Sequence, residues 1–395
     1  MIIEPIIHGV VAKSAHPAGC HAAVKEQIEI VRNSNPIKNG PKRVLILGAS
    51  SGFGLAARTA LTFGGADAKT IGVSFERGPT DKRTGTAGWY NNIHFKYEAD
   101  KLGLTAINIV GDAFSTSIRE EVIEAIETHL DGEVDLIIYS LATGVRPKNE
   151  SEMWRSAIKP IDNAVSGASI NLETNEWLET TLQPASESEI ESTIKVMGGE
   201  DWESWVDLLI NHDSIAEGCK TIAFSYIGPK ATYPIYHEGT LGRAKIDLHQ
   251  ASHTLNLKLA NYNGGAYATV CKALTTKASV FIPAFTPYIL ALYKVMKKQG
   301  NHEGCIEQMQ RLFTEKLYGQ QKVPVDGQRL LRMDDWELND TVQLKVEQLM
   351  TRMNASNFKE MGDYEGYKSD FLKLNGFGFD SVDYHADVDL SVYEK

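Results

Sequence analysis

Cysteine is scarce in this chain of 395 residues: Cys20, Cys219, Cys271 and Cys305 are the only four, and none belongs to a C-x-x-C pair. That excludes a disulfide framework of the secreted kind and the paired-thiol zinc and redox motifs, and it fits idle thiols in a reducing compartment. Long hydrophobic runs are lacking as well. The opening MIIEPIIHGVV interrupts its apolar residues with Glu4, Pro5 and His8, so no signal-peptide core forms there. The most apolar stretch, 278–293, contains Pro283 and Pro287 and is shorter than the ~20 residues of a membrane helix. Positive charge is not in excess: 40 Lys and Arg face 51 Asp and Glu, a net charge of −11. An acidic balance disfavours general binding to a phosphate backbone. His249 and His253 are spaced i, i+4 but lack a third ligand or an H-E-x-x-H pattern, so no metal site is expected. These absences together predict a cytoplasmic protein with no membrane or nucleic-acid partner.

What is present is a regular alternation. Apolar residues make up 43% of the chain, close to the ~45–50% of ordinary globular proteins. The run RVLIL at 43–47 stops at Gly48 and reads as a buried parallel strand. Further strands are expected at 70–75, 105–110, 135–140, 220–225 and 266–270. Helices are expected between them, at 54–63, 88–102, 117–129, 201–209 and 240–259. Strands separated by helices of this size imply right-handed crossovers and a doubly wound α/β sheet of the Rossmann type. The polar segment 144–195 interrupts the rhythm and is expected to leave the core and carry a hairpin. The last hundred residues read as mostly helical, with a further hairpin where KVPVDGQRLLR turns at Asp326-Gly327. No linker-like stretch divides the chain. It is therefore expected to form one elaborated domain over 1–395: a core at about 40–290, an insertion at about 144–199 and a helical part at about 291–395.

RVLILGASSGFGLAARTAL places Gly48, Gly52 and Gly54 between a strand and a helix. Glycines let the backbone approach a pyrophosphate, which then lies at the positive end of the helix. Glu76 closes the second strand 22 residues past Gly54, near the ~20-residue offset of the acid that binds adenosine ribose hydroxyls. A carboxylate there repels a 2′-phosphate and favours NADH over NADPH, although Arg77 adjoins it. Topology puts Asp112-Ala113 and Ser140-Leu141-Ala142 at the carboxyl ends of the third and fourth strands, where an adenine and a nicotinamide ribose lie in such folds.

Beyond the fifth strand the chain reads FSYIGPKATYPIYHEGTLGRAKIDL. Reductases of this fold need an acidic hydroxyl for a developing oxyanion and an ammonium nearby. Tyr236 and Lys245 supply these groups nine positions apart. Within one helix, at about 100° per residue, nine steps put two side chains on opposite faces. Both meet one nicotinamide only if the helix begins between them, and Thr240 is the expected N-cap. Tyr226 is either a second hydroxyl for the substrate carbonyl or a core ring with a wet tip.

The strings GASSGFG, GWYNN, GDAFS, YSLA, VMGGEDW, SYIGP, Y-x8-K and NHEGCIEQ occur in this order. Together they resemble the trans-2-enoyl-CoA reductases and V-type enoyl-acyl-carrier-protein reductases over nearly the whole chain. The resemblance implies a monomeric, NADH-dependent enzyme that saturates the double bond of a trans-2-enoyl thioester carried on coenzyme A or on acyl-carrier protein. It maps the cofactor loop onto Gly48, Ala49, Ser50, Ser51, Gly52 and Phe53, and the adenosine contacts onto Phe75, Glu76, Asp112 and Ala113. Nicotinamide-side contacts map onto Leu141, Ala142, Lys245, Leu274, Thr275 and Thr276, the substrate tyrosine onto Tyr226 and the proton donor onto Tyr236. Phe53 replaces a tyrosine common in the family, Thr143-Gly144 replaces a small residue followed by proline, and Lys277 stands where Gln or Arg is common. The stretch 278–293 is either an acyl-tunnel wall or a core helix. Lys294, Lys297 and Lys298 either attract the phosphates of coenzyme A or an acidic carrier, or form a solvated face. A carbonyl reductase using the same tyrosine and lysine on a 3-oxoacyl thioester, and a non-catalytic dinucleotide-binding regulator, are the competing readings.

Overall fold

A computed structural model describes residues 1–394. Helix α1 (Pro17–Arg32) precedes strand β1 (Arg43–Leu47), where Val44 to Leu47 are wholly buried because both faces of the strand are covered. Alternation follows through α2 (Gly52–Phe63), β2 (Lys69–Ser74), α3 (Ala87–Asp100), β3 (Ala106–Val110), α4 (Thr116–His129) and β4 (Val134–Tyr139). After the excursion come α5 (Glu187–Met197), α6 (Glu200–Asn211), β5 (Ile215–Ser225), α7 (Thr240–Leu259) and β6 (Gly265–Val270). The remainder contributes α8 (Thr286–Gln299), α9 (Cys305–Arg311), β7 (Leu331–Arg332), α10 (Asp340–Met350), α11 (Phe358–Met361) and α12 (Tyr364–Lys373).

The seven strands form one parallel sheet in the order β7-β6-β5-β4-β1-β2-β3. This is the Rossmann order with one strand added at an edge, and the order reverses between β1 and β4. Apolar cores cover both faces. One joins α1, α2 and α9 to the sheet, and the other packs α4, α6 and α7 against the opposite side. A third core surrounds α8 and holds residues of α10, α11 and α12. Among the described residues no helix is long and apolar enough to cross a membrane, and the four thiols are free.

Several local expectations change. The excursion holds two hairpins, Val145–Pro147 with Met153–Arg155 and Val165–Asn171 with Glu176–Leu182, before α5. The turn at Asp326 forms, with its carboxylate accepting from Gln328 and Leu330 N–H, but no hairpin results. Leu331 and Arg332 instead pair parallel with Thr269 and Val270 at the open edge of β6, whereas Pro324 in KVPVD has no N–H to give a hairpin ladder. Helix α7 does begin between Tyr236 and Lys245, yet its N-cap is Gly239. The Thr240 hydroxyl donates to Ala157 O and accepts from Lys159 N–H, tying α7 to the excursion rather than capping it. The stretch 278–293 divides: Phe281 is half exposed, while Tyr288 to Tyr293 lie in the core of α8.

Candidate active site

The turn after β1 folds back on the sheet, with Gly48 and Ala49 N–H both donating to Val73 O at 2.9 and 3.0 Å. Gly54 allows this because a Cβ there would overlap the Gly48 carbonyl oxygen. Gly52 has φ +54°, and a Cβ there would lie in ordinary van der Waals contact with Thr276, 3.8 Å away. Gly52 thus faces Thr276 at the N-terminus of α2, beside the reversal between β1 and β4, where free N–H groups and the helix dipole favour an anion.

At the other strand end where the resemblance maps adenosine contacts, Phe75 is 82% exposed just past the end of β2, an aromatic face held in solvent. Glu76 is braced from both sides. Ser50 Oγ donates to Oε1 at 2.5 Å and the Thr86 hydroxyl donates to Oε2. Asn91 then fixes the turn by donating to Ser50 O at 2.9 Å. Asp112 follows β3, with Oδ1 accepting from Phe114 N–H at 3.0 Å. Ala113 is buried in the core, whereas Leu141 is partly buried and Ala142 exposed at the mouth of β4.

Tyr226, at the end of β5, and Tyr236 meet edge-on, centroids 4.8 Å apart at 87°. Phe285 closes the corner at 5.8 Å from Tyr226 and 6.4 Å from Tyr236. Tyr236 is 6% exposed, burial raises the pKa of its phenol, and no hydrogen bond to its hydroxyl exists among the described residues. The Tyr226 hydroxyl, by contrast, donates to Glu337 at 2.9 Å. Lys245 Nζ donates to Phe224 O at 3.1 Å rather than to Tyr236, and burial lowers its pKa to about 8. Phe53 rests on Phe224 at 5.5 Å. Leu274 is buried, Thr275 shares its hydroxyl with Tyr293 at 2.9 Å, and Thr276 faces Gly52.

Two contacts had no signal in the sequence. Glu337 reaches the site from the C-terminal part, where it stood in an unremarkable acidic run. His249 Nε2 lies 2.7 Å from Ser225 Oγ, one turn beyond Lys245. Burial and the neighbouring Lys245 lower its pKa to about 4. Among the described residues no cluster of His, Cys, Asp and Glu able to hold a metal is present. Lys297 pairs with Asp363 at 2.6 Å, and Lys294 and Lys298 are exposed.

A parallel sheet of this order with a glycine turn at its switch point, a braced acid just after β2 and an unpartnered phenol at the cleft defines a dinucleotide-dependent reductase of the Rossmann type. Residues 2–81 match the model of the NAD(P)H binding domain of trans-2-enoyl-CoA reductase, and residues 83–318 match its catalytic region. The chain belongs to the trans-2-enoyl-CoA reductase family. It is 71% identical to enoyl-[acyl-carrier-protein] reductase [NADH] 2 of Vibrio parahaemolyticus, covering 99% of this chain and 98% of that protein. It is 48% identical to trans-2-enoyl-CoA reductase [NADH] of Clostridium beijerinckii, covering 100% and 99%. A trans-2-enoyl-CoA reductase of Treponema denticola, solved with NAD, superposes with a TM-score of 0.93 at 43% identity, covering 98% of each chain.

Residues 325–388 match a further model, described as an enoyl reductase FAD binding domain. The residues present do not fit a flavin. Their one strand, β7, is two residues long and leads to no glycine turn or helix N-terminus. Gly362 and Gly376 serve packing, against Leu290 and against His16 and Cys20, and Gly327 and Gly378 lie apart in open space. The NADH fit is better founded. The turn after β1 presents the N-terminus of α2, and both hydroxyls on Glu76 belong to short side chains that a ribose diol can replace.

Proposed function

We propose that this chain catalyses the NADH-dependent reduction of the carbon–carbon double bond of trans-2-enoyl thioesters, carried on coenzyme A or acyl-carrier protein, to saturated acyl thioesters. The observation that carries this reading is the Tyr236 hydroxyl, which sits at the tip of a buried ring beside the end of β5 and has no hydrogen-bond partner among the described residues. Its oxygen is not among the enclosed unpartnered polar atoms, so it opens to the cleft and is free to donate to a ligand there.

Bound NADH supplies a hydride to Cβ of the enoyl group, which leaves negative charge on the thioester oxygen. Tyr236 donates its O–H to that oxygen, and its raised pKa keeps the proton on the phenol at neutral pH. Tyr226 and Phe285 wall the pocket and exclude water from the developing enolate. Lys245 would hold the nicotinamide ribose from the second turn of α7. The Tyr236 proton passes to the enolate, which tautomerises to place it on Cα, and solvent reprotonates the phenolate. Glu76 accepts the adenosine ribose hydroxyls and disfavours a 2′-phosphate, with Phe75 against the adenine and Asp112 at its amino group. The same reading takes 1–395 as one elaborated domain acting as a monomer in the cytoplasm. Support comes from cores shared between the sheet and the C-terminal helices and from the free, mostly buried thiols.

Tyr236→Phe removes only the donor. Its turnover on crotonyl-CoA is expected to fall about 10²–10³-fold, the loss typical of an oxyanion donor, with NADH affinity nearly unchanged by fluorescence titration. Turnover near that of the parent would remove Tyr236 from the reaction. Reduction of 3-oxoacyl thioesters in place of crotonyl-CoA would identify a carbonyl reductase instead.

A further inference from the structure

Glu337 lies between β7 and α10 and is completely buried. Three donors converge on its carboxylate. Tyr226 and Tyr288 give their O–H groups to Oε1 at 2.9 and 2.6 Å, and Ala273 N–H reaches Oε2 at 2.7 Å. Gln343 braces the group from behind, donating to Glu337 O at 2.6 Å and to the Tyr288 hydroxyl at 3.1 Å. A carboxylate out of water is costly unless its lone pairs are filled, and a set made only of donors matches the ionised form. The two phenols of the pocket are therefore unequal. The Tyr226 proton is committed to Glu337, while the Tyr236 proton has no acceptor among the described residues.

We propose that Glu337 is a positioning residue for the reaction: by accepting the Tyr226 proton it pins that ring edge-on against Tyr236 and reserves donation to the substrate carbonyl for Tyr236. This role presupposes the enoyl-reductase reading of Tyr236. It also gives the C-terminal part a purpose at the site, since the pairing of β7 with β6 is what brings Glu337 behind Tyr226.

The test compares Glu337→Gln, Tyr226→Phe, their double variant and Tyr236→Phe in crotonyl-CoA reduction, with NADH binding and melting temperature measured on each. Glutamine offers one acceptor and one donor where three donors converge. Glu337→Gln should lower kcat about tenfold or more with KM for NADH within about twofold, a split that loss of fold does not produce. Because Glu337 acts through Tyr226, the double variant should be no more than about twofold slower than the slower single variant. Gln310→Ala, which removes buried hydrogen bonds to Asn35 O and Gly64 O away from the pocket, should lower the melting temperature and leave kcat unchanged. Parental kcat in Glu337→Gln, multiplied losses in the double variant, or an equal kcat loss in Gln310→Ala would each overturn the proposal. If Glu337→Gln does not fold, parental kcat in Tyr226→Phe overturns it. Unchanged turnover in Tyr236→Phe defeats the reductase reading itself, whatever the Glu337 variants do.

Discussion

Lys245 is asked for two things that oppose each other: burial beside the cofactor cleft and a positive charge. Burial lowers its pKa from the ordinary 10.5 to about 8, so the ammonium is the main form only below that pH. If the charged amine holds the ribose, kcat/KM for NADH should fall as pH rises through about 8, a limb that reports the free enzyme. Lys245→Arg should remove the limb at a lower overall rate, since a guanidinium stays charged. A flat profile to pH 9.5 in the parent would show that another group holds the ribose. At this scale the sequence was informative where the chemistry is local. Tyr236 and Lys245 stand out because one helix start lies between them. Ser225 and Glu337 do not, because their partners, His249 and Tyr226, are 24 and 111 positions away. Only the fold brings such pairs together. The i, i+4 histidines illustrate the converse, since His249 turns its Nε2 to Ser225 and not toward His253.

The glycine turn after β1 separates a glycine needed for packing from one proposed to face the cofactor. A methyl at Gly54 would strike the Gly48 carbonyl, so Gly54→Ala should disrupt the β1–α2 turn and lower the melting temperature along with NADH binding. Gly52→Ala meets no atom closer than 3.8 Å, though its φ of +54° strains any residue with a Cβ by about 1 kcal/mol. It should fold, yet bind NADH at least about tenfold more weakly, because the methyl crowds the glycine turn where the pyrophosphate is proposed to approach the backbone. Equal NADH affinity in Gly52→Ala would place the pyrophosphate elsewhere. Other family strings prove structural. In VMGGEDW, Asp201 pairs with Arg119 at 2.7 Å and accepts from Tyr139 at 3.0 Å, and the fully buried Trp202 donates to Thr221 at 2.8 Å. In NHEGCIEQ, Glu303 pairs with the buried Arg311 at 2.7 Å, and Glu307 accepts from Gly304 N–H at the start of α9. The hairpin expected at Asp326-Gly327 failed at this scale for a plain reason: turn chemistry specifies the turn but not which edge the next residues join.

Over the whole molecule, the two ends of the chain close on the adenosine side. Met1 N donates to Val388 O at 2.7 Å, and Phe377 and Leu390 bury against Ile3, Ala15 and Tyr90. The Tyr90 hydroxyl accepts from Gly85 N–H at 2.7 Å, and the adjoining Thr86 donates to Glu76. Tyr393 stacks edge-on to Tyr90 and its carbonyl accepts from Trp89 at 2.7 Å. Deleting 376–395 uncovers Phe377's and Leu390's contacts, a loss of roughly 3–6 kcal/mol of apolar burial. The melting temperature should drop by several degrees and the Kd for NADH should rise about fivefold or more. Unaltered NADH affinity in the truncated chain would show that the tail supports stability alone.

Strand and helix order, the glycine turn with an acid just past β2, and a helix start between Tyr236 and Lys245 followed from sequence, because each rests on periodicity or on short spacing along the chain. Which hydroxyl is free, which is held, and how Leu331–Arg332 extend the sheet to carry Glu337 to Tyr226 were decided by tertiary packing. The physical reason is that buried hydrogen bonds are satisfied by whatever the fold brings within 3 Å, and chain separation carries no record of that distance.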